Sequence, residues 1–213
     1  MEICVRNATK YIKGALILND VNLTFSGGKV YGLQGPNGSG KTMLMRLISG
    51  LIKPTKGEVV VDGIRLGKDK DFPASMGIMI EEPAFLPNYT GKKNLELLAS
   101  IRQSIGTEKI CNTLNNVGLD PNDRRKYRKY SLGMKKRLGI AAALMEEPSL
   151  ILLDEPTNAL DNIGVEQICD LILRERDRGA LIIIACHDAG ILDRVADEVY
   201  TVNAGVVEKR VQQ

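Results

Sequence analysis

Hydrophobic and polar residues along this chain change period three times, and each change predicts a different kind of element. Residues 1 to 28 alternate apolar and polar positions, as in Val21-Asn22-Leu23-Thr24-Phe25, which suits strands with one wet face, and Gly27-Gly28 supplies a turn. An antiparallel layer is expected there. Val30-Tyr31-Gly32-Leu33 then reads as a short buried strand. Leu44, Leu47, Ile48 and Leu51 follow at helical spacing, a stripe closed by Gly50 and Pro54. Glu58 to Ile64 predicts a strand and a tight Asp62-Gly63 turn back into the antiparallel layer, and Met76 to Ile80 another core strand.

From 88 to 145 the period becomes helical. Leu95, Leu97, Leu98 and Ile101 mark one helix, Ile110, Leu114 and Val117 a second, and Met134, Leu138, Ala141 and Met145 the buried stripe of a third. Lys135, Lys136 and Arg137 are expected on its solvated face. The last third alternates strand and helix: Leu150 to Leu153, a helix through Val165, Ile168, Leu171 and Ile172, then the unbroken apolar run Leu181 to Ala185. Such runs belong to parallel sheets covered on both faces. The fold class is therefore α/β, a mainly parallel core sheet flanked by helices, with an antiparallel β layer and an inserted helical lobe. All 213 residues form one domain in this reading, with 1–87 and 146–213 as the core and 88–145 as the lobe.

Composition narrows the function only slightly. Lys plus Arg number 29 against 26 Asp plus Glu, a net charge of +3 with no basic stripe, which gives no reason to expect direct contact with nucleic acid. Charges in Met1-Glu2-Ile3-Cys4-Val5-Arg6 interrupt any signal peptide, and no window approaches 18 apolar residues, so a soluble cytoplasmic protein is expected. Cys4, Cys111, Cys169 and Cys186 have neither C-x-x-C spacing nor disulfide-scaffold density and read as reduced, mostly buried thiols.

The chemistry sits just after predicted strands. Gly35-Pro36-Asn37-Gly38-Ser39-Gly40-Lys41-Thr42 fits G-x-x-x-x-G-K-[ST], whose backbone amides cradle a nucleotide triphosphate at a helix start. Lys41 would supply charge to the β and γ phosphates, and the Thr42 hydroxyl would coordinate Mg²⁺. Leu150 to Leu153 delivers Asp154 and Glu155 from a buried run. Two acids there are costly unless a cation or a reaction uses them: Asp154 for the metal, Glu155 as proton acceptor from an attacking water. His187, the only histidine, would read as structural if it stood alone. After the strand ending at Ala185 it becomes a candidate to bond the γ phosphate or orient the water. Together these residues predict ATP hydrolysis, with the site outside the carboxyl ends of the strands.

In that order the motifs resemble, over essentially the whole length, the ATP-binding subunit of ATP-binding cassette transporters. The resemblance makes Gly35 to Thr42 the Walker A loop, Leu150 to Glu155 Walker B with Glu155 as general base, Asn158-Ala159-Leu160-Asp161 the D-loop and His187 the switch histidine. Tyr11 resembles the aromatic that stacks on adenine. Tyr130-Ser131-Leu132-Gly133-Met134 corresponds to the signature Leu-Ser-Gly-Gly-Gln, retaining Ser131 and Gly133, which implies a head-to-tail homodimer or heterodimer whose partner site those residues cap. Glu81 stands where the family has the Q-loop glutamine and could join the metal. The segment Pro83-Ala84-Phe85-Leu86-Pro87, with Phe85 and Leu86 exposed, would dock a separate transmembrane permease and hold the protein on the inner membrane face. The Ile-Glu-Glu-Pro and Tyr-Ser-Leu-Gly-Met combination resembles bacterial export or immunity systems for peptide antibiotics. A soluble cassette ATPase acting on nucleic acid or ribosomes is the alternative.

Overall fold

Alternation divides this molecule into layers. The computed structural model describes residues 1–210. Strands β1 (Glu2–Ile12) and β2 (Ala15–Ser26) form a hairpin that buries Ile3, Val5, Leu18, Val21 and Phe25 while residues between them stay wet. Next come β3 (Lys29–Gln34), helix α1 (Lys41–Ile48), β4 (Lys56–Val61), the two-residue β5 (Ile64–Arg65) and β6 (Met76–Met79). Three helices follow, α2 (Gly91–Arg102), α3 (Thr107–Asn116) and α4 (Leu132–Leu144), with a 3-10 turn at Tyr127–Lys129 before the last. The chain closes with β7 (Leu150–Asp154), α5 (Asn162–Asp177), β8 (Leu181–Ala185), α6 (Ala189–Val195), β9 (Glu198–Asn203) and β10 (Val206–Lys209).

Two sheets result. The antiparallel one runs β2-β1-β4-β5, and the larger runs β10-β9-β3-β8-β7-β6, parallel except for β10 on β9. In the larger sheet successive residues serve different cores. Tyr31, Leu150, Leu152, Leu181 and Ile183 face α1 and the antiparallel sheet. Val30, Ile151, Leu153, Ile182 and Ile184 face the other helices. A strand buried on both sides has no polar phase, which is why the central strands read as continuous apolar runs. Each fully buried aliphatic side chain contributes about 1.5–3 kcal/mol, so these strands are the best-anchored part of the sheet.

Some expected stripes shift. Leu51 lies beyond the end of α1 and is exposed, because Gly50, at φ 83°, has already turned the chain. On α2 the buried positions are Leu95, Ala99 and the polar Asn94, while Leu97, Leu98 and Ile101 are exposed. Leucine periodicity alone picks the wrong side of that helix. On α4 the stripe Leu138, Ala141 and Met145 is buried and Met134 packs against the same core, but burial extends to Gly139, Ile140, Ala143 and Leu144. This helix is packed on β6 and β7 and also against α2 and α3. All four cysteines are free; Cys169 and Cys186 are buried, Cys4 and Cys111 partly so.

Candidate active site

Strand order assembles the site. Because β3, β8, β7 and β6 are neighbours, the residues that follow them come out side by side at one sheet edge: Gly35, His187, Glu155 and Glu81. The glycine loop reaches α1 through Gly40, whose φ of 114° suits no side chain and whose Cα lies against the Ile17 carbonyl. Lys41 is buried, with Nζ donating to the carbonyls of Gly35 (2.7 Å) and Pro36 (3.0 Å). The Ser39 hydroxyl is sealed off from solvent without a partner among the described residues.

A side-chain hydrogen bond joins the loop to the acids. The Thr42 hydroxyl donates to Asp154 Oδ2 at 2.7 Å, and burial pushes the Asp154 carboxyl above its usual range while that hydrogen bond pulls it down. Glu155 occupies the left-handed region at φ 49°, a conformation costing about 1 kcal/mol for a residue with a Cβ. Its amide donates to the Ala185 carbonyl (2.8 Å), and its Oε2 lies 2.9 Å from His187 Nδ1. The histidine itself is exposed. A hydroxyl, a buried carboxylate and a carboxylate tied to an imidazole thus stand around one lysine.

A cavity of about 610 Å³ opens over these groups. Its lining includes Asn37, Gly38, Ser39, Gly40, Lys41, Thr42, Glu81, Asp154 and Glu155, so most of the expected site residues share one wall. Others lie apart. Tyr11 is exposed on β1, its amide bonded to Thr55 Oγ1, and lies outside the lining, where Ile17 supplies the apolar side. Ser131 caps α4 by accepting from the Met134 amide (3.2 Å), and Asp161 caps α5 by accepting from the Gly164 amide (3.0 Å). Gly133 sits so close to the Ala159 carbonyl that a Cβ would come within 2.8 Å. From the two segments 130–134 and 158–161, Leu132, Asn158 and Ala159 reach the cavity. Glu81, also left-handed at φ 65°, forms an ion pair with Arg46 on α1.

Three expectations need correction. Lys136 and Arg137 are not a solvated face. Lys136 is 8% exposed and lines the cavity. Arg137 donates to the Val117 carbonyl and to Gln167 Oε1 and is 3.6 Å from Asp161. Phe85 is half buried, edge-on to Tyr127 at 5.3 Å, leaving Leu86 as the exposed member of its pair. The missed residues carried a signal: Leu132, Lys135 and Lys136 stand at i, i+3 and i+4 and share one helix face, and Asn94 is a polar residue among buried ones. Its side chain donates to the carbonyls of Leu86 and Thr90 and accepts from the Leu86 amide.

The oxygen donors at the loop fit a hard cation. Thr42 and Asp154 are oxygen ligands, and no cluster of three or more metal-ligating side chains exists among the described residues. A magnesium ion held by one or two protein oxygens, water and substrate phosphate needs no more.

A phosphate-cradling loop at a helix start, with a buried acid and an imidazole-paired acid across from it, defines a P-loop nucleotide hydrolase. The family model described as ABC transporter matches residues 18–158, and the chain belongs to that family as an ATP-binding, ATP-hydrolysing cassette. It is 44% identical over 204 residues to the uncharacterized ABC transporter ATP-binding protein YybJ of Bacillus subtilis, covering 96% of this chain and 94% of the relative. It is 37% identical to the lantibiotic transport ATP-binding protein SrtF of Streptococcus pyogenes, covering 91% and 83%. With the bacitracin transport ATP-binding protein BcrA of Enterococcus faecalis it shares 38% identity over 93% of this chain and 65% of that longer protein. Among solved structures, the dimeric post-hydrolysis ATP-binding cassette MJ0796 bound to ADP and Pi superposes with a TM-score of 0.86 at 26% identity, covering 99% of this chain and 100% of that one.

Proposed function

We propose that this chain energises a transporter that exports a peptide antibiotic, as one half of a head-to-tail pair of cassettes docked on a separate membrane permease. The pairing of Glu155 with His187 beside the Thr42–Asp154 bond, at the mouth of the glycine loop, carries the catalytic part of the reading. The loop amides and Lys41 would hold the triphosphate. Thr42 and Asp154 would hold Mg²⁺, with Glu81 as a further oxygen donor once released from Arg46; the ion would offset phosphate charge. A carboxylate only accepts, so in its pairing with Glu155 the His187 Nδ1 carries the hydrogen and steers Oε2, leaving Oε1 for water. Water attacks the γ phosphorus and gives its proton to Glu155. The bond from that phosphorus to the bridging oxygen breaks, releasing ADP and inorganic phosphate.

The dimer is supported by residues that do not serve their own cavity. Ser131, Gly133 and Asp161 lie outside its lining, with Ser131 and Asp161 at exposed helix starts, as they would if a second cassette used them. The similar solved cassette MJ0796 is dimeric. Tyr11 is retained as the adenine-stacking residue. No helix among the described residues is long and apolar enough to cross a membrane; in this reading the channel is a separate permease. The names of the bacitracin and lantibiotic relatives favour peptide antibiotics over the nucleic-acid alternative. The deciding variant is Glu155→Gln. It should bind ATP as the unmodified protein does, lower turnover at least about a hundredfold, and accumulate a dimer with ATP in gel filtration; unchanged turnover would remove Glu155 from the mechanism.

A further inference from the structure

The helix that begins at Ser131 delivers a cation into its own chain's cavity. Lys136 is 8% exposed, yet it makes no hydrogen bond or ion pair among the described residues. Its ammonium is not among the sealed, partnerless atoms, a condition found only for Ser39 Oγ, so it opens on the cavity whose wall it forms. An ammonium removed from bulk water and left unpaired is costly, and no packing need explains a charge there. Burial pushes the Lys136 ammonium down, against the opposing pull of Asp154, Glu155 and Glu82. All three carboxylates line the same cavity as Lys136. Lys41, by contrast, is folded onto the carbonyls at the base of the glycine loop.

We propose that Lys136 is a second, cis-acting phosphate-binding cation, which contacts the terminal phosphate of the bound triphosphate across the cavity from the glycine loop and so distinguishes a triphosphate from a diphosphate. This rests on the nucleotide reading of the cavity. A third phosphate placed near Asp154 and Glu155 meets two carboxylates, and Lys136, lining the same cavity, offsets their repulsion as a second cation beside Lys41. Its position fits that role: Leu132 and Lys136, four residues apart, project from one face of α4 into the space above the loop.

The test uses the full chain with EDTA, so that neither magnesium nor hydrolysis enters, and measures ATP and ADP binding by calorimetry together with thermal melting. Lys136→Met should weaken ATP about tenfold or more, the scale of one charge-assisted contact, and ADP at most about threefold. Lys136→Arg should bind ATP within about threefold of the unmodified protein. Lys136→Met should also melt at a higher temperature without ligand, since a buried unpaired charge is gone. Equal ATP affinity in the Met variant, an equal loss of ATP and ADP, or a Met variant that melts lower or does not fold would each overturn the proposal. Failure of the unmodified protein to bind ATP under conditions that include magnesium would instead overturn the nucleotide reading itself.

Discussion

A single side chain, Arg137, ties three helices together. Its guanidinium reaches the Val117 carbonyl after α3, Gln167 on α5 and the vicinity of the α5 cap Asp161, and only 14% of the side chain is exposed. There is room because residues 118 and 164 carry no Cβ; added ones would lie 2.3 and 2.4 Å from its nitrogens. Lysine cannot reproduce a planar fork with several donors. Arg137→Lys should therefore leave a buried acceptor short of its partner and cost about 1–3 kcal/mol, read as a lower urea midpoint at unchanged slope. At this scale the residues that gather at the cavity were legible because phosphate, metal and proton transfer would each demand fixed residue types at fixed spacing. Lys136 and Arg137 were not, since a basic triplet on a helix looks solvated until one knows that the helix is packed on nearly every side. Tyr11 was legible only through resemblance, and its own chain sets it on an exposed strand.

Elements were legible where one period persisted. The central strands and α1 follow from apolar runs and a glycine loop, whereas α2 misleads because its core face uses Asn94 and Ala99 beside Leu95 while Leu97, Leu98 and Ile101 point outward. The closing hairpin of β9 and β10 gave little signal in the sequence beyond its Ala204-Gly205 turn. What secures it is charge: Glu198 on β9 pairs with Lys209 on β10 (2.9 Å) and Lys29 on β3 (3.0 Å). The Lys209 contact first, then Lys29, holds the Glu198 carboxyl below the usual range. A lowered carboxylate stabilises the fold above its unfolded value and loses that contribution as pH falls through the folded value. Glu198→Gln should therefore lower stability by under about 1 kcal/mol near neutrality, less in high salt. The gap should begin to narrow below about pH 5 and close only once pH falls past the lowered folded value, measured by denaturation of both proteins across that range.

At the scale of the whole molecule, the exposed leucines acquire a meaning. Leu51 and Leu98 flank an apolar groove of about 320 Å³, walled by Ile78, Ile80, Phe85 and Ala142, at the junction between the parallel sheet and the inserted helices. Asn94 pins Leu86 beside it through two hydrogen bonds and bonds the Thr90 carbonyl with a third, so the groove is held in shape by the helix that also exposes Leu97 and Leu98. Glu82 and Pro83 belong both to this groove and to the nucleotide cavity, which places one short segment between the two sites. If the permease seats here, a charge at Leu98 should oppose docking through desolvation without touching Lys41, Asp154 or Glu155. Leu98→Asp should then leave the ATPase rate of the isolated cassette within about twofold, because an exposed position away from the cavity contributes little to folding or catalysis, while reducing copurification with the permease and transport in reconstituted vesicles at least about tenfold. Transport at the unmodified level would move the docking surface elsewhere. The same segment between the two sites gives a second readout: with permease present, the nucleotide affinity of the Leu98→Asp protein should match that of the free cassette, while the unmodified protein's affinity should shift, since coupling between two sites is reciprocal and is lost when docking is lost.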